Sequence, residues 1–333
     1  MAALISSVMA ENISGFAQFA TKWIYFYLLF TLAYYIGRQH SLGDVAKLLV
    51  ISSFYPIANQ LLYAIIQGPK CITGQEICSY IGSFYHESEL ASWIFIFIMG
   101  ASLGIYHHRG IIRRVYVLIF VIGIISMYFN GYRTATIALS VFIILMFLKN
   151  IKKIPLLYNL SIVLFLIGMG IIQHESIFSS LNVYLSDIVI FLEDPGAYIS
   201  LTGQLIDSEL FSGRLYLYNQ ILRLYVNGGL YVYLLGIGPE RISTIIGTFA
   251  HNEYISTLVE MGIIGLFVFC WFLIRSYYLI KYKQNHIFEC MFLSILITAL
   301  ATMPFHDLRA IILMAMVLGI GLGERNKIKR NEL

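Results

Sequence analysis

Apolar runs long enough to cross a lipid bilayer recur along this 333-residue chain, and that recurrence limits the fold more than any motif does. A helix needs roughly 20 apolar residues to span the hydrocarbon layer. Nine runs can be read, at about 17–36, 47–66, 89–106, 115–130, 134–148, 155–172, 254–274, 287–303 and 309–322. In lipid every backbone polar group must be satisfied within the protein, which admits only helices and closed barrels. Barrel strands alternate polar and apolar with a short period, and these runs do not. The expected fold class is therefore all-α: a polytopic integral membrane helical bundle of about nine spans (8–12), with a long outer loop containing short helices. Composition agrees, with 59% apolar and 12% charged residues against about 25% charged in soluble domains. The formal charge of +4 is too small to suggest a nucleic-acid partner.

Loop charge orients the spans, because short cytoplasmic loops are rich in Lys and Arg. One alternating set of loops holds Arg38 and Lys47; Arg109, Arg113 and Arg114; Lys149, Lys152 and Lys153; Arg275, Lys281 and Lys283. With Arg325, Lys327, Lys329 and Arg330 in the tail, that set carries 15 of the 22 basic residues and is assigned to the cytoplasm. The segment 173–253 is then outside, with eight acids (Glu175, Asp187, Glu193, Asp194, Asp207, Glu209, Glu240, Glu253) against Arg214, Arg223 and Arg241. Loops this long between spans are commonly functional. The expected organisation is 1–172 as N-terminal spans, 173–253 as the outer loop, and 254–333 as C-terminal spans with a cytoplasmic tail, in one membrane domain. The start, "MAALISSVMAENISG", has no positive n-region, so the first span is expected to serve as its own insertion signal.

The cysteines divide by depth. Cys270 and Cys290 fall inside spans and read as packing residues. Cys71 and Cys78, in "CITGQEIC", fall in an outer loop where an oxidising compartment permits a disulfide. Metal binding there is the weaker reading, since no His lies between them.

Three basic side chains stand apart from the cytoplasmic clusters, and the orientation puts all of them on one face: Arg133 in "NGYRTA", Arg214 in "FSGRLYLYNQILRLY", and His251. Arg133 could snorkel to the interface without further purpose. Around Arg214, Leu215, Tyr218, Leu222 and Tyr225 recur at helical spacing behind Ser212, a natural N-cap. Arg214 then falls in a first turn, where the helix dipole disfavours a cation and a bound anion would relieve the conflict. His251 alone reads as an ordinary interfacial histidine. Its neighbours Asn252, Glu253 and Tyr254 make a polar cluster, and Glu253, Thr257 and Glu260 form a polar stripe on an apolar helix. Carboxylates in a span face protein or a wet cavity. Gly262 and Gly265 are small residues of the kind that let helices approach closely. "GIGPE", at Gly236–Glu240, reads as a turn. No nucleotide-binding loop, H-E-x-x-H or Asp-x-Asp pair occurs, so no cofactor or metal is expected.

With these residues in view, the sequence resembles the O-antigen ligase/polymerase superfamily of bacterial envelope glycosyltransferases. The resemblance rests on an ordered series: "GYRTA" at 131–135, "SGRL" at 212–215, "LLGIGPE" at 234–240 and "HNEYISTLVEMGIIGL" at 251–266. It covers about 130–267; the earlier spans match in hydrophobicity alone.

The resemblance implies a metal-independent, inverting glycosyltransferase of the bacterial inner membrane, with its active site facing the periplasm. Its donor would be an oligosaccharide on undecaprenyl diphosphate, and a chain-length regulator protein is a further expected partner alongside membrane lipid. Residue by residue, the family's essential arginines fall on Arg133 and Arg214, which would bind the diphosphate, and its loop-end histidine falls on His251. His251 would orient or deprotonate the acceptor hydroxyl, with Glu253 as the rival base. Tyr218, Asn252, Tyr254 and Glu260 would support the site. A polymerase, joining lipid-linked repeat units, is preferred to a ligase acting on lipid A–core. A precursor flippase is the reading from another class, and would place charges at mid-depth along several spans.

Overall fold

The structure, a computed structural model, describes residues 13–71, 78–84, 86–150, 214–281, 286–300, 302–303 and 308–331. Nearly all of these are helical. In chain order they form α1 (Ile13–Gln39), α2 (Leu42–Ile66), β1 (Lys70–Cys71), β2 (Cys78–Ser79), α3 (Glu87–His107), α4 (Gly110–Asn130), α5 (Arg133–Asn150), α6 (Arg214–Val226), α7 (Gly229–Leu235), α8 (Arg241–Ile246), α9 (Glu253–Ile280), α10 (Ile287–Thr298) and α11 (Leu308–Asn331). The chain divides into two compact units: the first takes residues 1–16 and 147–269, the second 17–146 and 270–333.

The molecule is all-α with membrane-spanning character, but the expected nine spans are not reached among the described residues. Four helices, α2, α3, α4 and α9, are long and apolar enough to cross a membrane. The runs at 134–148 and 287–303 correspond to the shorter apolar helices of α5 and α10. A 12-residue helix such as α10 rises about 18 Å, well under the roughly 30 Å hydrocarbon core. The run at 155–172 lies outside the described residues.

In the second unit α3 is the inner helix: 83% of its apolar window is buried, against 28% for α2 and for α4. Leu90, Ile94, Ile98 and Leu103 are fully enclosed. Helix α2 starts on a reciprocal cap, with the Ser41 hydroxyl accepting from Asp44 N at 3.2 Å and donating to the Asp44 carboxylate at 2.6 Å. Such caps satisfy N–H groups that would otherwise be orphaned. Helix α11 packs on α1 through Gly319 and Gly323, spaced i, i+4. A Cβ on Gly319 would come 2.6 Å from Ala33 Cβ, and one on Gly323 would come 2.3 Å from the Tyr34 carbonyl oxygen. Small residues at this spacing let two membrane helices touch backbone to backbone.

The ends of the second unit differ in character. At one end Arg325 Nη1 donates to the Tyr278 and Leu279 carbonyls (2.8 and 2.6 Å), closing the C-terminus of α9. Lys327 Nζ donates to His40 O at 2.7 Å, joining the end of α1 to the tail of α11. Gly43, at the start of α2, lies against the His107 and His108 rings at the end of α3. Arg38, Lys281, Arg325, Lys327 and Arg109 thus share this end.

At the opposite end Gln60 Nε2 donates to the Tyr80 and Ser126 carbonyls (2.7 and 2.9 Å), and the Ser126 hydroxyl returns a bond to Gln60 Oε1. Tyr80 N donates to Phe129 O at 2.8 Å, and Asn130 Nδ2 to Glu87 O at 3.0 Å. These bonds tie the short β1–β2 ladder and the following loop across the ends of α2 and α4. In that antiparallel ladder Cys71 stands directly opposite Cys78. Opposed antiparallel residues lie about 4.5–5.5 Å apart at Cα, within the span that a disulfide bridges.

Candidate functional site

The described part of the first unit is built around the first turns of α9 and the segment 234–250. Asn252 caps α9: its Oδ1 accepts from Tyr254 N and Ile255 N, both at 3.0 Å, and its carbonyl accepts from Ser256 N at 2.9 Å. Glu253 therefore opens the helix, where the dipole favours a carboxylate. The residue before the cap, His251, has φ of +50° and an exposed side chain. A non-glycine residue in this left-handed region is uncommon, and such strain clusters at functional positions.

The polar stripe expected on α9 is buried in full: Glu253 is 1% exposed, Thr257 2% and Glu260 2%. It faces protein and not lipid. Tyr254 is half-buried, its ring 6.1 Å from that of Phe269.

Two and a half turns into α9 the helix is interrupted at Gly262, with φ +69° and ψ −174°. An unbroken helix would give the Val259 and Glu260 carbonyls to the N–H groups of Ile263 and Ile264. Here the segment after α7 fills them instead: Ile237 N donates to Val259 O at 2.9 Å and Gly238 N to Glu260 O at 3.0 Å. The approach requires a missing Cβ on both sides. A Cβ on Gly236 would come 2.3 Å from the Glu260 carbonyl, and one on Gly262 would come 2.3 Å from that of Leu234. Both glycines also have positive φ. So "LLGIGPE" and "EMG", far apart in sequence, form one backbone joint. At Gly265 the nearest atoms a Cβ would meet belong to the Met261 side chain of its own helix.

Beyond the joint, Glu240 turns the chain with φ +60° and precedes α8, and its side chain is 9% exposed. Glu260 Oε1 accepts from Ile242 N at 3.3 Å, at the start of α8. Burying carboxylates is costly unless they are paired. Glu240, Glu253 and Glu260 each have polar partners. The sequence marks Glu240 as one acid of the outer segment and as part of a turn; a Gly-x-Gly-Pro context gives no hint that the acid after it is enclosed.

Helix α6 begins at Arg214, so the expectation that this arginine sits in a first helical turn agrees with the backbone; its side chain, and the expected Ser212 cap, lie outside the described residues. Of the residues that recur at helical spacing in α6, Tyr225 is the one most enclosed among the described residues. Ile221 and Tyr225 are buried and Leu222 is exposed, while Tyr218 is half-buried. Ile221 and Leu222 are equally apolar, so periodicity could not choose between faces. Tyr225 donates to Tyr233 O at 2.8 Å and Tyr233 to Val226 O at 3.0 Å, which clasps α6 to α7. Burial, with the neighbouring Tyr233, pushes the Tyr225 phenol above its ordinary range and keeps it a donor.

No protein-family model matches the chain, and no curated protein matches it.

The backbone of Arg133 opens α5, at the end of the second unit opposite the basic loops. The first unit holds Arg214, Tyr218, His251, Asn252, Glu253, Tyr254 and Glu260. Among the described residues no three His, Cys, Asp or Glu side chains are grouped to hold a metal ion. Chemically, the first unit offers an exposed imidazole on a strained residue, backed by enclosed carboxylates and fixed by a glycine-for-glycine joint. Outside this region the second unit holds a polar cluster the sequence reading missed. Buried Glu289 accepts from the Tyr277 hydroxyl at 2.6 Å, and its other oxygen lies 3.1 Å from His286 Nδ1.

Proposed function

We propose that the protein is a membrane glycosyltransferase that polymerises oligosaccharide repeat units carried on undecaprenyl diphosphate, at the exterior face of a bacterial inner membrane. The observation that carries this reading is the backbone joint at Gly236–Gly238 and Glu260–Gly262. Two of the four stretches on which the O-antigen ligase/polymerase resemblance rests are held together by it. His251, from the same stretch, precedes the cap of α9 with an exposed side chain.

In this reading the acceptor hydroxyl attacks the donor's anomeric carbon from the face opposite the diphosphate. The C–O bond to the diphosphate breaks and the configuration inverts. The hydroxyl proton passes to His251, or to Glu253 as the rival base, and undecaprenyl diphosphate leaves with the bonding electron pair. An imidazole titrates near neutral pH and suits this transfer. Arg214, at a helix start, holds the leaving diphosphate through its planar fork. Arg133 is assigned to the same diphosphate by the resemblance.

Replacing Arg214 tests the role. Polymer made in a deletion strain complemented with Arg214→Ala should fall about 100- to 1,000-fold, by analogy with removal of one oxyanion donor. Arg214→Lys should recover part of it, because charge is kept and the fork is lost. Normal polymer with Arg214→Ala would refute the assignment. The deletion strain also separates the two acceptors: core bearing a single repeat is expected for a polymerase, and bare core would mean a ligase.

A further inference from the structure

A second site lies in the other unit, and it does not depend on the sugar-transfer reading. A cavity of about 220 Å³ opens between α1, the C-terminal half of α9 and α11. Phe26, Phe30, Trp271, Phe272 and Leu318 line it, and Arg275 stands in the same lining. The rings brace one another. Phe272 meets Trp23 edge-on at 5.7 Å and Phe26 at 6.0 Å, and Phe26 stacks on Phe30 at 6.1 Å. Trp271, 60% exposed, keeps the groove open on its outer side.

Arg275 is one helical turn beyond Trp271, on the same face of a span-length apolar helix. It is exposed, and among the described residues it makes no hydrogen bond or ion pair. Its neighbours at this end are engaged: Arg325 bonds the Tyr278 and Leu279 carbonyls, and Lys327 bonds His40. A guanidinium near the end of a span extends toward the interface, where anionic headgroups lie. No described side chain supplies an anion to it. Arg275 lies five residues before the end of α9, about 7.5 Å of helical rise, so its head reaches headgroup level.

We infer that this groove binds an anionic phospholipid, with the phosphate on the Arg275 guanidinium and an acyl chain along the Phe26, Phe30 and Trp271 rings. The apolar lining excludes a soluble anion or a polar peptide. A second copy of the chain fits poorly, because a two-fold contact sets each patch against its twin and the lining contains no acid to meet Arg275. The basic end of the unit adds attraction for an acidic leaflet, worth a factor of about five per basic residue.

The experiment is native mass spectrometry of the purified full chain with phosphatidylglycerol and phosphatidylcholine supplied separately. The wild type should retain phosphatidylglycerol in preference. Arg275→Gln should weaken its retention about fivefold and leave phosphatidylcholine unchanged. Arg275→Lys should keep most of the preference, and Trp271→Ala should weaken both lipids alike. Arg330→Gln, which removes the same charge from the exposed tail, should weaken phosphatidylglycerol retention less than Arg275→Gln does. Equal phosphatidylglycerol retention by Arg275→Gln and the wild type would overturn the proposal. So would loss of the preference in Arg275→Lys, or a change in dimer content with lipid retention unaltered.

Discussion

His251 carries a conformational burden separable from its chemistry. At φ +50° a glycine would sit with less strain, so His251→Gly should leave the thermal unfolding temperature unchanged or slightly raised while abolishing sugar transfer. Free imidazole added to the assay should restore part of the activity. Lost activity with lost stability would make His251 structural. The polar stripe at Glu253, Thr257 and Glu260 was legible residue by residue, because polar side chains four and three apart on an apolar run, two of them acids, have no reason to face lipid. Glu240 and Arg275 were not legible. One was hidden in turn composition, and the other was counted with the loop cations although it stands inside a span-length helix.

Among elements, the joint between the α7–α8 segment and the interrupted α9 ties together described parts of the first unit. Gly236→Ala or Gly262→Ala places a Cβ 2.3 Å from a carbonyl at a positive φ. Each should cost about 2–4 kcal/mol from overpacking and backbone strain together, measurable as a lowered unfolding temperature in detergent. The side chain beneath the joint should be more tolerant. Glu260→Gln keeps an oxygen that can accept from Ile242 N and should be mild, whereas Glu260→Ala leaves that buried N–H bare at about 1–3 kcal/mol. If Gln proves as damaging as Ala, the charge of Glu260 matters beyond this bond. The start of α9 could be read from Asn252, a good cap before an apolar run. Its interruption could not. A single glycine in such a run costs a helix only about 1 kcal/mol, and nothing local shows that a distant loop supplies the N–H donors. Similarly, the Gly319/Gly323 contact on α1 is visible as a spacing, but its partner Ala33–Gly37 stretch is fixed only by tertiary packing.

At the scale of the whole molecule, hydropathy points to a helical membrane protein; among the described residues four helices are long and apolar enough to cross, and two further apolar runs form shorter helices. Basic residues from loops far apart in sequence gather at one end of the second unit, tied by Arg325 and Lys327. The most direct test of the functional account is reconstitution of the purified protein in nanodiscs with a synthetic oligosaccharide on undecaprenyl diphosphate, without added metal, followed by separation of the glycans by length. The account predicts a ladder of longer lipid-linked glycans, inverted at each new linkage, with release of one undecaprenyl diphosphate per bond formed. Substrate recovered at its starting length, while the same protein in liposomes carries it from one leaflet to the other, would contradict it.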